Sequence, residues 1–353
     1  MRPVRLAANP VQHFYRGGAR IAELRGYTPT SDRQPEEWVA STVSRFGNDD
    51  VGLARAEDGT LLRDLVAADP AAWLGVGAVA GRVAPADTGM LVKLLDAGQR
   101  LPVHVHPDRG FAARHLDCPY GKTEAWFVVD ADPDAEVFLG WTEDVDPAEL
   151  AVRRDEQDSD WMLSRMHRIA VRPGDGILVP AGLVHAIGAG VFVVEVQEPT
   201  DLSIVLEWSV TTSGREDSHL GVGFERAMGA VTHQALGAEH LAALCGHLDP
   251  GVSSTTRQRC LPTMADRFFR LDVLAPGGGT TETVPSGFAA VVAVAGQGSL
   301  VSDTAETPVA RGEILAVPAG FGDWSARGSV RLVVARPGVD WPDDLASVRW
   351  SGR

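Results

Sequence analysis

A chain of 353 residues with a formal net charge of −15 repels polyanions at long range, so neither nucleic acid nor an anionic membrane surface is expected as a partner. No apolar run approaches the ~20 residues of a membrane span. The opening MRPVRLAANPVQHFY lacks a long secretory apolar segment, and three scattered cysteines, Cys118, Cys245 and Cys260, form no disulfide framework, so a cytoplasmic location is expected.

With 38 glycines, 22 prolines and short apolar runs, many strands joined by tight turns are predicted. Residues 1–50 read as loops and short strands, with EEWVASTV the first clear strand. TLLRDLVAADPAAWLG has helical spacing interrupted at Pro70. MLVKLLDAG, LPVHVHP, EAWFVVDA and EVFLGW are β-rich. A polar, helix-compatible stretch runs from Asp146 to Met166, and GDGILVPAG and GVFVVEVQ return to strand. Spacing is helical again from Phe224 to Cys245, and strand and turn follow Thr263. Cation usage is lopsided: 30 arginines stand against two lysines, Lys93 and Lys122, which marks those positions as places where a compact ammonium suits and a guanidinium fork does not.

An internal repeat organises the chain. PGDGILVPAGLVHAIGAGVFVVEV (173–196) aligns with RGEILAVPAGFGDWSARGSVRLVVA (311–335) at an offset of 138, which puts Gly174, Pro180 and Gly182 on Gly312, Pro318 and Gly320. Two copies of one β unit imply two related domains, expected at 1–262 and 263–353. The first copy carries Gly-x5-Pro-x-Gly-x2-His, ending at His185. Upstream, His104 and His106 alternate in a strand and share one face. These stretches resemble the two motifs of the cupin superfamily, which implies a mainly β fold of two cupin (jelly-roll) domains with helical insertions. With Glu124, the three histidines suit one divalent metal, zinc first, with manganese or iron as alternatives. The second repeat has Asp323 where the first has His185, and residues 263–353 contain no His-x-His, so that domain is expected to be metal-free.

Seventeen residues, PDRGFAARHLDCPYGKT, separate His106 from Glu124. This spacing, together with EEWVAST, LVKLLDAG, HVHPD, GKTEAWF and VPAGLVHAIGAGVFVVEVQEPTD, resembles type I mannose-6-phosphate isomerase over roughly residues 35–205. The resemblance implies His106, Glu124 and His185 as metal ligands, with His104 in place of the family's glutamine. It also implies Lys93 and Lys122 in the active site, and Glu195 and Asp201 on the cavity wall. Two further departures are Pro102, where the family has a serine, and Val205, where it has an arginine. The loop TTSGREDSHLGVGFER offers Arg215 and Arg226 as substitutes.

The activity so implied is aldose–ketose isomerisation through an enediol. It interconverts mannose 6-phosphate, or a related free or phosphorylated sugar, with fructose 6-phosphate or the matching ketose. Glu195 is the candidate proton carrier and Lys122 the candidate oxyanion stabiliser. Lys93, Lys122, Asp201 and Trp126 are candidate substrate contacts, with Trp126 as an apolar wall. Alternatives are an isomerase of unphosphorylated aldoses such as mannose, a cupin metal dioxygenase and a non-catalytic sugar-binding cupin. A monomer or homodimer is expected. His115 and His167 are expected at the surface in helix-like stretches.

Overall fold

The computed structural model describes residues 1–79, 84–249 and 251–339, so the last fourteen residues of the expected second domain lie outside it. Strands buried on both faces build the first lobe from two antiparallel sheets. The larger runs in the order Cys245–His247, Asp175–Val179, Glu124–Ala131, Val191–Gln197, Leu91–Asp96, Glu36–Val39, Pro10–Val11. Opposite it lies the order Ile204–Val205, His104–Val105, His185–Ile187, Glu136–Trp141, Met166–Ala170. The strand Glu136–Trp141 shows the period up to a bulge: Val137 and Leu139 belong to the main core between the sheets and Phe138 to a second core outside, and the register shift after Leu139 turns Trp141 to that outer core too. That second core is covered by helices. Pro147–Glu156 is started by Asp146, whose carboxylate accepts from the amides of Ala148 and Glu149, and it is stopped at Gln157, where φ reaches 56°. Ser159–Ser164 follows, and Leu150, Trp161 and Met162 seal the outer face.

Pro70 does not end the helix before it so much as start the next one. Leu62–Ala68 stops, Asp69 accepts from the amide of Ala72, and Pro70–Leu74 begins with proline at a position where no amide hydrogen is needed.

The C-terminal lobe repeats the plan. One sheet runs Val4–Arg5, Ile314–Val317, Ala289–Ala295, Arg331–Pro337, Phe269–Ala275, Ser254–Arg259, and a smaller one Glu306–Ala310, Gln297–Ser302, Trp324–Gly328. Along Arg331–Pro337, Leu332 and Val334 enter this lobe's own core, whereas Val333 and Ala335 join the main core with Val194 and Val196 of the first lobe. The lobes are thus packed sheet against sheet. Sheet membership crosses the expected boundary at 262: Ser254–Arg259 pairs with Phe269–Ala275, and Val4–Arg5 at the N-terminus pairs with Ile314–Val317.

The repeat is visible in the backbone. Gly174 and Gly312 both take positive φ (96° and 87°) just before the strands Asp175–Val179 and Ile314–Val317, a conformation that glycine adopts without strain. The fold is therefore mainly β, of cupin (jelly-roll) type with helical insertions.

Candidate metal centre and active site

His104 and His185 are direct cross-strand partners, so their side chains leave the smaller sheet on one face. His106 comes in from the end of the same His-x-His strand. The three ring centroids are 4.1 to 5.0 Å apart. In each ring Nδ1 faces a backbone carbonyl: Pro102 at 2.9 Å for His104, Leu202 at 2.8 Å for His106 and Leu183 at 2.8 Å for His185. A carbonyl oxygen only accepts, so Nδ1 carries the proton and Nε2 is left as a lone pair.

From the larger sheet, Glu124 completes the group. Its Oε2 is 2.9 Å from His106 Nε2, its Oε1 is 3.3 Å from His185 Nε2, and Trp126 Nε1 donates to Oε1 at 3.0 Å. His185 Nε2 is buried without a hydrogen-bond partner. One ligand atom from each of the three histidines falls within 4.8 Å of the others, the one such grouping among the described residues. Three lone pairs and a carboxylate in a buried cluster, one nitrogen of it unsatisfied, fit a divalent transition ion.

Electrostatics keep these groups ready for a cation. Burial, and then the neighbouring His185 and His106, hold His104 well below its ordinary pKa. Burial, and then Lys122, lower His106 to about 3. Burial alone would raise Glu124, but Lys122 and His106 outweigh it and hold the carboxyl well below its usual range.

The segment that delivers Lys122 and Glu124 is built by the long insertion. Asp108 caps the helix Arg109–His115 by accepting from the amide of Phe111, and the Lys122 amide donates to Pro107 O at 3.0 Å. Gly121 permits that closure, because a Cβ there would stand 2.8 Å from the backbone of Arg109 and Pro107. Glu198 then bridges the two ends of the insertion, accepting from Arg109 Nε at 2.5 Å and from the Thr123 amide at 2.9 Å. Lys122 Nζ reaches Glu124 Oε2 and stands 2.9 Å from His106 Nε2.

Beside the cluster opens a small pocket. It is lined by His104, Glu124, Lys122, Lys93, Glu195 and Asp201, with His13, Tyr15, Glu36 and Ser203 among its other polar residues. Lys93, Glu195 and Trp126 share one face of the larger sheet through direct pairings. Lys93 Nζ lies 3.2 Å from Glu36, 3.5 Å from Asp201 and 3.8 Å from Glu195. Burial works against its charge, yet these carboxylates more than offset that and raise its pKa. Burial first and Glu124 second push Glu195 up to about 7.

The expected residues do not all take their expected places. The metal-ligand candidates and Lys93, Lys122, Glu195 and Asp201 come together. Trp126 is fully buried off the pocket wall, 5.7 Å from the His185 ring, where it orients Glu124 instead of facing a ligand. Arg215 pairs with Asp155 at 3.4 Å, and neither it nor Arg226 lines the pocket. His115 is exposed on its helix, whereas His167 is half-buried on the strand Met166–Ala170 with Nε2 2.7 Å from Leu236 O.

His13, Tyr15 and Glu36 were not anticipated. Glu36 accepts from Tyr15 Oη at 2.5 Å and Trp38 Nε1 at 2.9 Å, and lies 3.4 Å from His13 Nε2. The available signal was EEWV itself: two adjacent carboxylates in a strand whose four residues are all buried.

No family model matches the chain. Among curated proteins it is 26% identical over 321 residues to mannose-6-phosphate isomerase ManA of Bacillus subtilis, covering 90% of this chain and 94% of that one. It is 27% identical over 249 residues to the mannose-6-phosphate isomerase of Streptococcus mutans, covering 70% and 73%. A crystal structure of the mannose 6-phosphate isomerase from Bacillus subtilis superposes with a TM-score of 0.70 at 21% identity, over 95% of this chain and 100% of that one. A mannose 6-phosphate isomerase bound with zinc and yttrium superposes equally well at 0.70, with 16% identity, over 96% and 100%. The shared fold, the alignment over nine-tenths of the sequence and the ordered motifs make this chain a divergent relative of the mannose-6-phosphate isomerases.

Proposed function

We propose that the protein is a metal-dependent aldose–ketose isomerase of the mannose-6-phosphate isomerase type. It would interconvert mannose 6-phosphate, or the related free or phosphorylated sugar, with fructose 6-phosphate or the matching ketose. The observation that carries this reading is the juxtaposition of a cluster of four candidate ligands, two of which line the adjoining pocket, with a lysine and a second carboxylate on that pocket's wall. His104, His106, His185 and Glu124 would hold one divalent ion, zinc by preference, which supplies Lewis-acid polarisation of the sugar oxygens when bound.

The chain's own residues account for the remaining requirements. Lys122, held beside Glu124, places an ammonium where negative charge develops on the enediolate oxygens. Glu195 stands 3.8 Å from Lys93 and 3.9 Å from Lys122, and its carboxylate takes the proton from one carbon and returns it to the next. Lys93, fixed by Glu36 and Asp201, anchors sugar hydroxyls from the other side. Trp126 holds Glu124 in line rather than touching substrate. The apolar walls, Phe14, Leu95, Leu101 and Ile187, exclude water from the enediol.

The test is anaerobic incubation of the zinc-loaded protein with aldose deuterated at C2. Deuterium should wash into solvent as ketose forms, and a chelator should stop both. Product formation that requires oxygen would instead make the site a dioxygenase.

A further inference from the structure

Resting on the isomerase reading, we propose that this pocket takes its sugar in uncharged form: an unphosphorylated aldose is held through its hydroxyls, and a phosphate group adds nothing to binding. The lining carries an excess of acid: Glu36, Glu124, Glu195 and Asp201 stand against Lys93 and Lys122. A divalent ion would offset that excess.

Both ammoniums already answer carboxylates. Lys93 touches three and lies 5.0 Å over the Trp38 ring, while Lys122 stands 3.9 Å from Glu195 as well as beside Glu124. No arginine is among the described residues that line it. The arginine at the edge, Arg45, has its Nε 3.9 Å from Asp201 Oδ2 and answers that carboxylate.

A phosphate ester carries roughly −1.5 to −2 at pH 7 and its oxygens call for charge-assisted donors. The uncharged donors do not replace them. The Tyr15 hydroxyl is given to Glu36 and Pro102 has no amide hydrogen, which leaves the Ser203 hydroxyl as a neutral donor. What the wall offers instead is a row of carboxylate acceptors for hydroxyl hydrogens and an apolar surface from Phe14, Leu101, Pro102, Ile187 and Val205 for the C–H faces of a ring. His13 adds a buried Nδ1 without a partner on the Glu36 side, suited to one more hydroxyl.

The experiment compares two unreactive analogues, 1,5-anhydromannitol and its 6-phosphate, by titration calorimetry on the full-length zinc-loaded protein. Alongside, kcat/KM is measured for mannose and mannose 6-phosphate. The expected result is that the uncharged analogue binds at least as tightly as the phosphate and that kcat/KM for mannose equals or exceeds that for the ester. A tenfold or larger preference for the phosphorylated compound in either measurement overturns the proposal while leaving the isomerase in place, and so does failure of both analogues to bind. If neither sugar is turned over but the uncharged analogue still binds at least as tightly, the isomerase reading fails and the inference about the pocket holds.

Discussion

Replacing His106 with alanine removes one of four candidate ligands and, with it, the hydrogen bond to Leu202 O that fixes the ring. A structural four-ligand zinc site contributes ~10–16 kcal/mol in all, so one ligand would be worth about 2.5–4 kcal/mol, or roughly 10²- to 10³-fold in affinity. The same substitution leaves Lys122 and Glu124 paired, so the loss should fall on the ion more than on the fold. His185→Ala should behave alike, because its Nε2 is the unsatisfied nitrogen of the cluster. The assay is zinc content after dialysis against a weak chelator, with a thermal melt in the presence and absence of zinc. Wild type bound at 100 times its Kd gains about 2.7 kcal/mol from the ion, and the variants should lose that gain. Asp323→Ala is the control: Asp323 is exposed and accepts from the Ser286 amide in the other lobe, so zinc content should not change. Stoichiometric, wild-type-affinity zinc in both histidine variants would refute the assignment.

Two further outcomes are expected. Glu195→Gln should lower kcat by ~10²-fold or more while zinc content stays at one ion per chain; loss of the ion would recast Glu195 as a support for the ligands. His13 is held neutral by burial, its pKa lowered from 6.5 to about 4. A base whose folded pKa lies below its unfolded one leaves the unfolded chain to take up the proton first. Its contribution is therefore intact above pH 6.5 and is lost as the pH falls from there towards 4, at most about 3 kcal/mol. Denaturant melts of wild type and His13→Gln across that window should show a shallower fall in the variant, and identical slopes would contradict the argument.

The clustering of the candidate ligands was legible because strand periodicity is short-range. Two histidines at i and i+2 share a face whatever the tertiary fold, and the Pro-x-Gly-x2-His turn places the third on a neighbouring strand. Which face of a strand looks into the barrel is not so local: Trp126 shares a face with Glu124, yet the indole is large enough to fill the space beneath the cluster rather than border the pocket. The sheet exchange at both lobe edges was illegible for a different reason. Val4–Arg5 pairs with a strand more than 300 residues away, and nothing in two residues encodes so distant a partner. His13 and Tyr15 were missed likewise, since a lone histidine beside aromatics reads as core until Glu36 is seen across from it.

The lysine count turns out to have carried spatial information. Both lysines of an arginine-rich chain are buried at one pocket, each answering more than one carboxylate. A guanidinium binds a carboxylate with a planar fork, and the chain uses that geometry where a single acceptor is to be clamped, as Arg100 does to Glu207 with two contacts of 2.6 Å. Lys93 has to meet Glu36, Asp201 and Glu195, which approach from three residues on different elements at 3.2 to 3.8 Å. A compact tetrahedral ammonium can serve three directions at once, and a plane cannot. The scarcity of lysine elsewhere and its presence here therefore have one cause: these two sites need a point charge shared among several oxygens, in a pocket whose carboxylates outnumber its cations until a divalent ion is bound.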